Sequence, residues 1–209
     1  MEKSEIIENN KRQTASEIDR FTVERYMTFT SYLTEGHKTI LDFGCNTGRG
    51  GKVIRDFNPD SIIYGADIVR ERLELIPDGT YDRVVDLTTE SISSVGKVDA
   101  IVSGEVVEHI PLPELIDYLS TFRQILNRNG VILITTPNPD SFLVKLGRDS
   151  VLRDPSHINI MRHGFLRELL LKTGFGKATV KGSGKATRIF GQNCPILRLY
   201  GSYLVIASV

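Results

Sequence analysis

Residues 41–48 read LDFGCNTG, an apolar run that ends in glycines and small polar residues. This composition predicts a buried strand that turns sharply into a helix. In an open parallel sheet, ligands bind at the carboxyl ends of the strands, and a glycine there lets a ligand approach the backbone closely. The loop after this strand is therefore the first candidate for a binding site.

The order of residues in this loop differs from that of a dinucleotide site. Such a site reads G-x-G-x-x-G and holds a pyrophosphate on the helix N-terminus. This loop reads D-x-G-x-N-x-G over 42–48, with the carboxylate of Asp42 at the end of the strand. A carboxylate there would repel a pyrophosphate, whereas it suits a ligand that carries an ammonium group.

Apolar runs typical of strands alternate with helical segments on both sides of this loop. Near-continuous apolar strand centres indicate a parallel sheet covered on both faces, and right-handed crossovers make it doubly wound. We therefore predict an α/β protein with a Rossmann-like, doubly wound, mostly parallel seven-stranded sheet and an antiparallel C-terminal hairpin. The predicted strands lie near 38–44, 61–67, 81–87, 98–104, 130–138, 176–182 and 200–209, and the helices near 48–57, 69–76, 112–127 and 161–173.

A further helix is predicted before the sheet, over 14–35. Apolar residues recur there close to every 3.6 positions, and Thr14 or Ser16 is available as its cap. We expect its aromatic residues in the core rather than in a lid, because their spacing is that of an apolar face. These are Tyr26, Phe29 and Tyr32. Near the other end of the chain, KGSGKATR at 181–188 predicts a flexible loop.

The net charge is zero, with 26 basic and 26 acidic residues, which argues against a general attraction to nucleic acid. Residues 1–141 hold 15 Lys/Arg and 23 Asp/Glu, whereas residues 142–209 hold 11 and 3. The basic C-terminal third is either solvated surface or a face toward an anionic substrate.

The sequence also bears on where the protein resides. No apolar run is long enough to span a bilayer, and the N-terminus is too polar for a secretory signal. Cys45 and Cys194 make no disulfide framework, which suits a reducing compartment. We expect a cytoplasmic protein.

Two more acids stand at the ends of the next two strands. Asp67 closes the second strand, at a spacing from Gly44 that is typical of nucleoside sites. Its carboxylate is suited to accept two hydrogen bonds from ribose hydroxyls. Asp86 ends the third strand, where it is placed to accept from an exocyclic amine such as that of adenine.

The segment EVVEHI at 105–110 follows the fourth strand. If it forms one helical turn, Glu105, Glu108 and His109 share a face. Three interpretations stay open: His109 is a general base oriented by a glutamate, the three residues bind a divalent cation with His157 or His163, or the segment is a polar helix start.

These motifs, together with YGADI at 64–68 and LNRNGVILITTPN at 126–138, resemble those of class I S-adenosylmethionine-dependent methyltransferases over residues 38–175. The resemblance implies that Asp42 and Gly44 hold the methionine end of the cofactor, although Asn46 stands where the family most often has glycine. The implied cofactor site comprises Asp42, Gly44, Asn46, Gly48, Asp67, Ile68, Asp86, Leu87, Ser103 and Gly104.

The resemblance further implies methyl transfer to a small or glycan-linked acceptor, most readily at oxygen, and the basic tail favours an anionic one. The expected catalytic residues are Glu105, Glu108 and His109. The E-x-x-E-H pattern is similar to that of ubiquinone-type and small-RNA 2′-O-methyltransferases, in which such a cluster has been assigned to a metal. The alternatives are thus a metal-assisted O-methyltransferase that acts on a quinone precursor or an RNA 2′-hydroxyl, and a non-catalytic cofactor-binding module.

The chain is expected to consist of an N-terminal helical extension, 1–36, and a methyltransferase domain, 37–209. The extension and the 139–165 loop should close the acceptor site. A monomer or homodimer is expected, and nucleic acid is the less expected acceptor because there is no basic aromatic platform.

Overall fold

The computed structural model describes residues 3–12, 21–147 and 154–209, and it confirms the predicted α/β sheet. Seven strands join in the order β3-β2-β1-β4-β5-β7-β6. The strands are Thr39–Phe43 (β1), Ile62–Asp67 (β2), Arg83–Asp86 (β3), Val98–Gly104 (β4), Leu126–Pro137 (β5), Lys177–Ser183 (β6) and Ser202–Ser208 (β7). The helices are Lys3–Lys11 (α1), Phe21–Thr30 (α2), Arg49–Phe57 (α3), Arg70–Leu73 (α4), Leu112–Ile125 (α5), Phe142–Lys145 (α6), His163–Lys172 (α7) and Thr187–Phe190 (α8).

Strand directions confirm the mostly parallel sheet and its hairpin. Strands β1 to β5 are parallel, whereas β7 runs antiparallel between β5 and β6. The chain moves outward from β1 to β3 and then returns to place β4 on the other side of β1. The carboxyl ends of β1 and β4 therefore flank the switch point, where ligands bind in such sheets.

Alternate residues of β1 face opposite layers of the core, as expected for a strand covered on both sides. Ile40 belongs to a buried cluster with Phe29 of α2 and Ile54 of α3. Leu41 belongs to the other cluster, which Leu119 of α5 and residues of α7 cover. Helices on both faces thus hold the strand ends, and the loops that follow them, in fixed positions.

The N-terminal region differs from its prediction. Helix α2 ends at Thr30, after which the chain continues in turns, and the proposed caps Thr14 and Ser16 lie outside the described residues. Tyr26 and Phe29 are buried as predicted, and Tyr32 is partly buried. A separate helix, α1, precedes α2.

The segment 181–188 is not a loop throughout, because β6 continues to Ser183 and α8 begins at Thr187. Pairing with β7 explains the first part: Ser183 lies opposite Ser202 in the ladder. None of the helices in the described residues has the length and apolar character that a membrane crossing requires.

Candidate functional site

A cavity of about 1070 Å³ opens at the carboxyl ends of the parallel strands. Its lining includes the loop after β1, residues at the ends of β2 and β3, and the EVVEHI segment. Helices α1 and α2 and the segments before α8 and β7 also contribute to the lining. Of the residues predicted for the cofactor, Gly44, Asn46, Asp67, Ile68, Leu87 and Gly104 line this cavity.

The loop after β1 has the backbone that its glycines and asparagine permit. Gly44 and Gly48 have φ of +78° and +82°, and Asn46 has φ of +51°. Asparagine tolerates this region better than other residues with a side chain, and here its Oδ1 accepts from the N–H of Thr47 (2.8 Å). The asparagine therefore replaces a glycine without breaking the loop.

Asp67 ties this loop to the end of β2. Its Oδ2 accepts from the N–H of Asn46, and its Oδ1 accepts from the N–H of Val69, both at 2.9 Å. Burial raises the pKa of Asp67, although these backbone N–H groups oppose the shift. Each oxygen retains a lone pair beside the cavity, which is what a pair of ribose hydroxyls requires.

Asp42, a further residue predicted for the cofactor, is not among the residues that line the cavity, and its contact with a cofactor stays a prediction. Its two oxygens accept from the hydroxyls of Tyr26 (2.6 Å) and Tyr81 (2.5 Å), and the side chain is fully buried. Burial raises the pKa of Asp42 to about 6, although both tyrosine hydrogen bonds oppose the shift. The position links helix α2 to β1 and thus to the loop.

We expect the Asp42→Asn substitution to remove a pH-dependent part of the stability. Because the pKa of Asp42 is raised from 3.8 to about 6 on folding, its contribution is most favourable below the lower value and is lost as the pH rises through the higher one. Above that range the buried charge costs about 3 kcal/mol. Asparagine keeps the shape and has no proton to lose.

Urea unfolding of both proteins at about pH 4 and about pH 7 checks this expectation. The free energy of unfolding of the variant, relative to the parent, should rise between the two values. The same pH dependence in both proteins would show that Asp42 is not the source.

Three other predicted cofactor residues also lie outside the cavity lining: Gly48, Asp86 and Ser103. Asp86 Oδ1 accepts from the N–H (2.8 Å) and the hydroxyl (2.6 Å) of Thr88, so it caps the turn after β3. Ser103 is fully buried, and its Oγ has no hydrogen-bond partner among the described residues. For all three residues, contact with a cofactor stays a prediction.

The EVVEHI segment does not form the single helical turn that was predicted. Only Val107–His109 form a 3₁₀ turn, and Glu105 stands before it with φ of +57°. Glu105 faces Arg25 (3.6 Å between Oε1 and Nε) and accepts from Ser202 Oγ (3.4 Å). Glu105 therefore contacts helix α2 and strand β7, which local sequence cannot reveal, and it is not part of the cluster that Glu108 and His109 form with His157.

Glu108 and His109 converge instead with His157. Within the described residues, these three offer ligand atoms that all lie within 4.8 Å of one another. Glu108 is fully buried, its Oε2 accepts from Thr136 Oγ1 (3.0 Å), and burial raises its pKa well above the usual value. The rings of His109 and His157 are 4.7 Å apart between centroids. His163 does not join them; it packs against Tyr203.

A backbone carbonyl, not a glutamate, orients His109. Its Nδ1 lies 2.9 Å from the carbonyl oxygen of Ser156, which only accepts, so Nδ1 carries the proton and Nε2 has a free lone pair. Asn9 of α1 donates to the same carbonyl oxygen (2.8 Å). Burial lowers the pKa of His109 to about 4, so the imidazole is neutral at pH 7. A neutral ring with Nε2 unprotonated can accept a proton or bind a cation.

Several residues that shape the site were missed from the sequence. Arg25 reaches Glu105 from α2, and Tyr81 reaches Asp42 across 39 residues. Helix α1 lines the cavity through Ile6 and Asn10, although its composition is mostly polar. No local sequence signal reveals the contacts of Arg25 and Tyr81. For α1, the only hint among its polar residues is the apolar pair Ile6 and Ile7.

Comparisons with known proteins agree with this architecture. A family model described as a methyltransferase domain matches residues 11–180. No curated protein sequence matches the chain. The fold is similar to that of a SAM dependent methyltransferase from Archaeoglobus fulgidus, with 20% identity, 99% of each chain covered and a TM-score of 0.69.

Two further solved structures are similar. The plantazolicin methyltransferase BpumL, crystallised with a monoazolic desmethylPZN analog and SAH, has 19% identity and a TM-score of 0.71, with 99% of this chain and 95% of that chain covered. The small RNA methyltransferase HEN1 has 19% identity and a TM-score of 0.70, with 88% of this chain and 25% of that chain covered. Because the family model spans most of the sequence, the chain belongs to the methyltransferase domain family, and the predicted class, an S-adenosylmethionine-dependent class I methyltransferase, is confirmed.

Proposed function

We propose that the protein transfers the methyl group of S-adenosylmethionine to an oxygen of a small or glycan-linked acceptor that carries negative charge. The observation that supports this most directly is the continuity of the cavity, about 1070 Å³, from the glycine loop to His109. A volume at this scale accommodates a cofactor with a small acceptor beside it. The cavity lining holds five basic and five acidic residues; the basic ones include Arg12, Arg49 and Lys185, which would contact the charge of an anionic acceptor.

The residues on the loop side fit the cofactor. A Cβ at Gly44 would lie 2.3 Å from Val106 Cγ2, so only a glycine leaves room there. Asp67 would accept from the ribose hydroxyls while it also holds the backbone N–H of Asn46. Ile68 and Leu87 would form the apolar walls for the adenine. When bound, the cofactor supplies a methyl group activated by a sulfonium.

The chain's own contribution is to align the acceptor and to take up its proton. We assign the proton to Nε2 of His109, because the Ser156 carbonyl keeps the proton of the neutral ring on Nδ1. Arg25 and Glu105 stand on the same side of the cavity and would position the acceptor.

A metal-assisted reaction is the second candidate. A base with a pKa of about 4 is weak, and a divalent cation would compensate by acting as a Lewis acid on the acceptor oxygen. Glu108, His109 and His157 would hold the cation, since their ligand atoms lie within 4.8 Å of one another. Glu108 Oε1, which is buried and has no hydrogen-bond partner among the described residues, favours this candidate. A quinone precursor or an RNA 2′-hydroxyl would then be the acceptor.

The cofactor is tested by calorimetry with S-adenosylmethionine and its demethylated product. We expect both to bind, and Asp67→Asn to raise the dissociation constant about 10- to 100-fold, because it removes a charged acceptor of two hydrogen bonds. Asp60→Asn serves as the matched control, because Asp60 is exposed and precedes β2, at the amino ends of the strands.

Failure of the parent protein to bind either compound at millimolar concentration would overturn the proposal. Turnover separates an enzyme from a non-catalytic module: incubation with labelled cofactor and anionic glycan or phenolic acceptors should give labelled product. Cofactor binding without transfer to any of these acceptors would favour the module.

A further inference from the structure

Three short segments leave the sheet side by side at the mouth of the cavity. Pro137 at the end of β5 and Ser183 at the end of β6 both lie opposite Ser202, the first residue of β7. Helix α6 follows β5, helix α8 follows β6, and a 3₁₀ turn at Leu197–Leu199 precedes β7. Each contributes to the cavity wall, so the three segments form its rim.

These segments expose large apolar side chains to solvent. Ile189 is 78% exposed, Leu146 66% and Ile196 54%. Isolated exposed apolar residues are ordinary, whereas several gathered at one edge indicate an interaction surface. We call the set the mouth patch; it comprises Phe142, Leu143, Leu146, Ile189, Phe190 and Ile196.

The charge around the mouth patch is positive. Residues 169–209 contain six Lys/Arg and no Asp or Glu. Lys185 and Arg198 are exposed beside the patch, and Arg188 is exposed there in an ion pair with Glu24. Three acids near this rim have partners: Glu24 pairs with Arg188, Asp140 with Arg162 and Glu105 with Arg25.

We propose that the mouth patch docks on the surface of an anionic lipid bilayer. Apolar side chains on separate short segments can each enter the headgroup region, while neighbouring cations contact lipid phosphates. No spanning helix is needed, because the protein lies on the surface. One consequence rests on the proposed function: the acceptor would be an amphiphile whose polar head reaches the cavity while its tail stays in the bilayer.

Vesicle flotation of the full chain tests the docking. We compare vesicles of phosphatidylcholine with vesicles of equal parts phosphatidylcholine and phosphatidylglycerol, without cofactor or acceptor. We expect flotation with the anionic vesicles only. The Leu146→Ser, Ile189→Ser double variant and Arg198→Gln should each weaken binding, the former by at least about tenfold.

Matched controls lie at α3. Phe57→Ser removes an apolar side chain that is 58% exposed at the far end of that helix, and Lys52→Gln removes an exposed charge. Both should float like the parent.

Equal flotation with neutral vesicles, or unchanged flotation of the mouth-patch variants, would overturn the proposal. So would a parent protein that forms dimers by light scattering and variants that lose only the dimer, since the patch would then be a protein interface. Vesicle binding is measured without turnover, so its failure leaves methyl transfer untouched.

Discussion

Replacement of Gly44 by alanine is expected to lower the free energy of unfolding by about 2–5 kcal/mol and to abolish cofactor binding. Two effects combine. A residue with a Cβ pays about 1–2 kcal/mol to adopt the φ of +78° found at Gly44. The new methyl group would also lie 2.3 Å from Val106 Cγ2, and overpacking of this kind costs about 1–3 kcal/mol.

The chain supplies a control that separates the two effects. Gly79 has φ of +76°, and a Cβ there would meet no atom within 4 Å. Gly79→Ala should therefore show the backbone cost alone, about 1–2 kcal/mol, with cofactor binding retained.

A second comparison isolates the contact with Val106. In a double-mutant cycle, adding Val106→Ala to Gly44→Ala should recover part of the loss, because it removes the methyl groups that collide. Urea unfolding gives the stabilities, and calorimetry gives the affinities. If Gly44→Ala is no less stable than Gly79→Ala and binds the cofactor normally, the close approach of Val106 does not shape this loop.

Much of the fold could be predicted because the signals are local. Strands such as β1 and β4 are apolar nearly throughout, which is required only when both faces of a sheet are covered. The exception is β5, which begins at Leu126 rather than near 130. After Leu126, residues Asn127 to Asn129 are polar, so their sequence resembles a turn. The register between β4 and β5 shifts at this point.

The candidate site was less predictable because its geometry depends on distant contacts. Asp42 is predicted from its motif to line the cofactor site, yet its carboxyl accepts from Tyr26 and Tyr81, and the residue does not line the cavity. Glu105 is predicted to share a helical turn with Glu108 and His109, yet it precedes that turn and contacts Arg25 and Ser202. Neither contact leaves a periodic signal in the sequence. By contrast, Asp67 could be predicted, because its partners are the backbone groups of its own motif and of the loop it faces.

His109→Ala is expected to reduce methyl transfer about 10²–10⁴-fold while leaving cofactor affinity within about twofold, as for loss of a general base. In the proposed arrangement His109 faces the acceptor, whereas Asp67 and the glycine loop hold the cofactor. His37→Ala serves as a control, because His37 precedes β1, at the amino ends of the strands, beside Thr34 and Asp99. Rates and dissociation constants measured for both variants check the split between turnover and binding.

His157→Ala then separates the two proposed mechanisms. If His109 acts as a base, His157 packs beside it with the ring planes tilted by 57°, and loss of His157 should cost less than about tenfold. If both rings bind a cation, His157→Ala should match His109→Ala, chelator should abolish parent activity, and added Mn²⁺ or Mg²⁺ should restore it.

The carbonyl of Ser156 makes this comparison meaningful. In either mechanism this carbonyl holds the ring of His109 through Nδ1. The loss of His157 should therefore change cation binding while the ring of His109 keeps its position. Normal turnover in His109→Ala would exclude both mechanisms and leave His109 as a buried support for the 3₁₀ turn. Equal losses without any chelator effect would instead assign His157 to acceptor positioning, with proton removal left to His109.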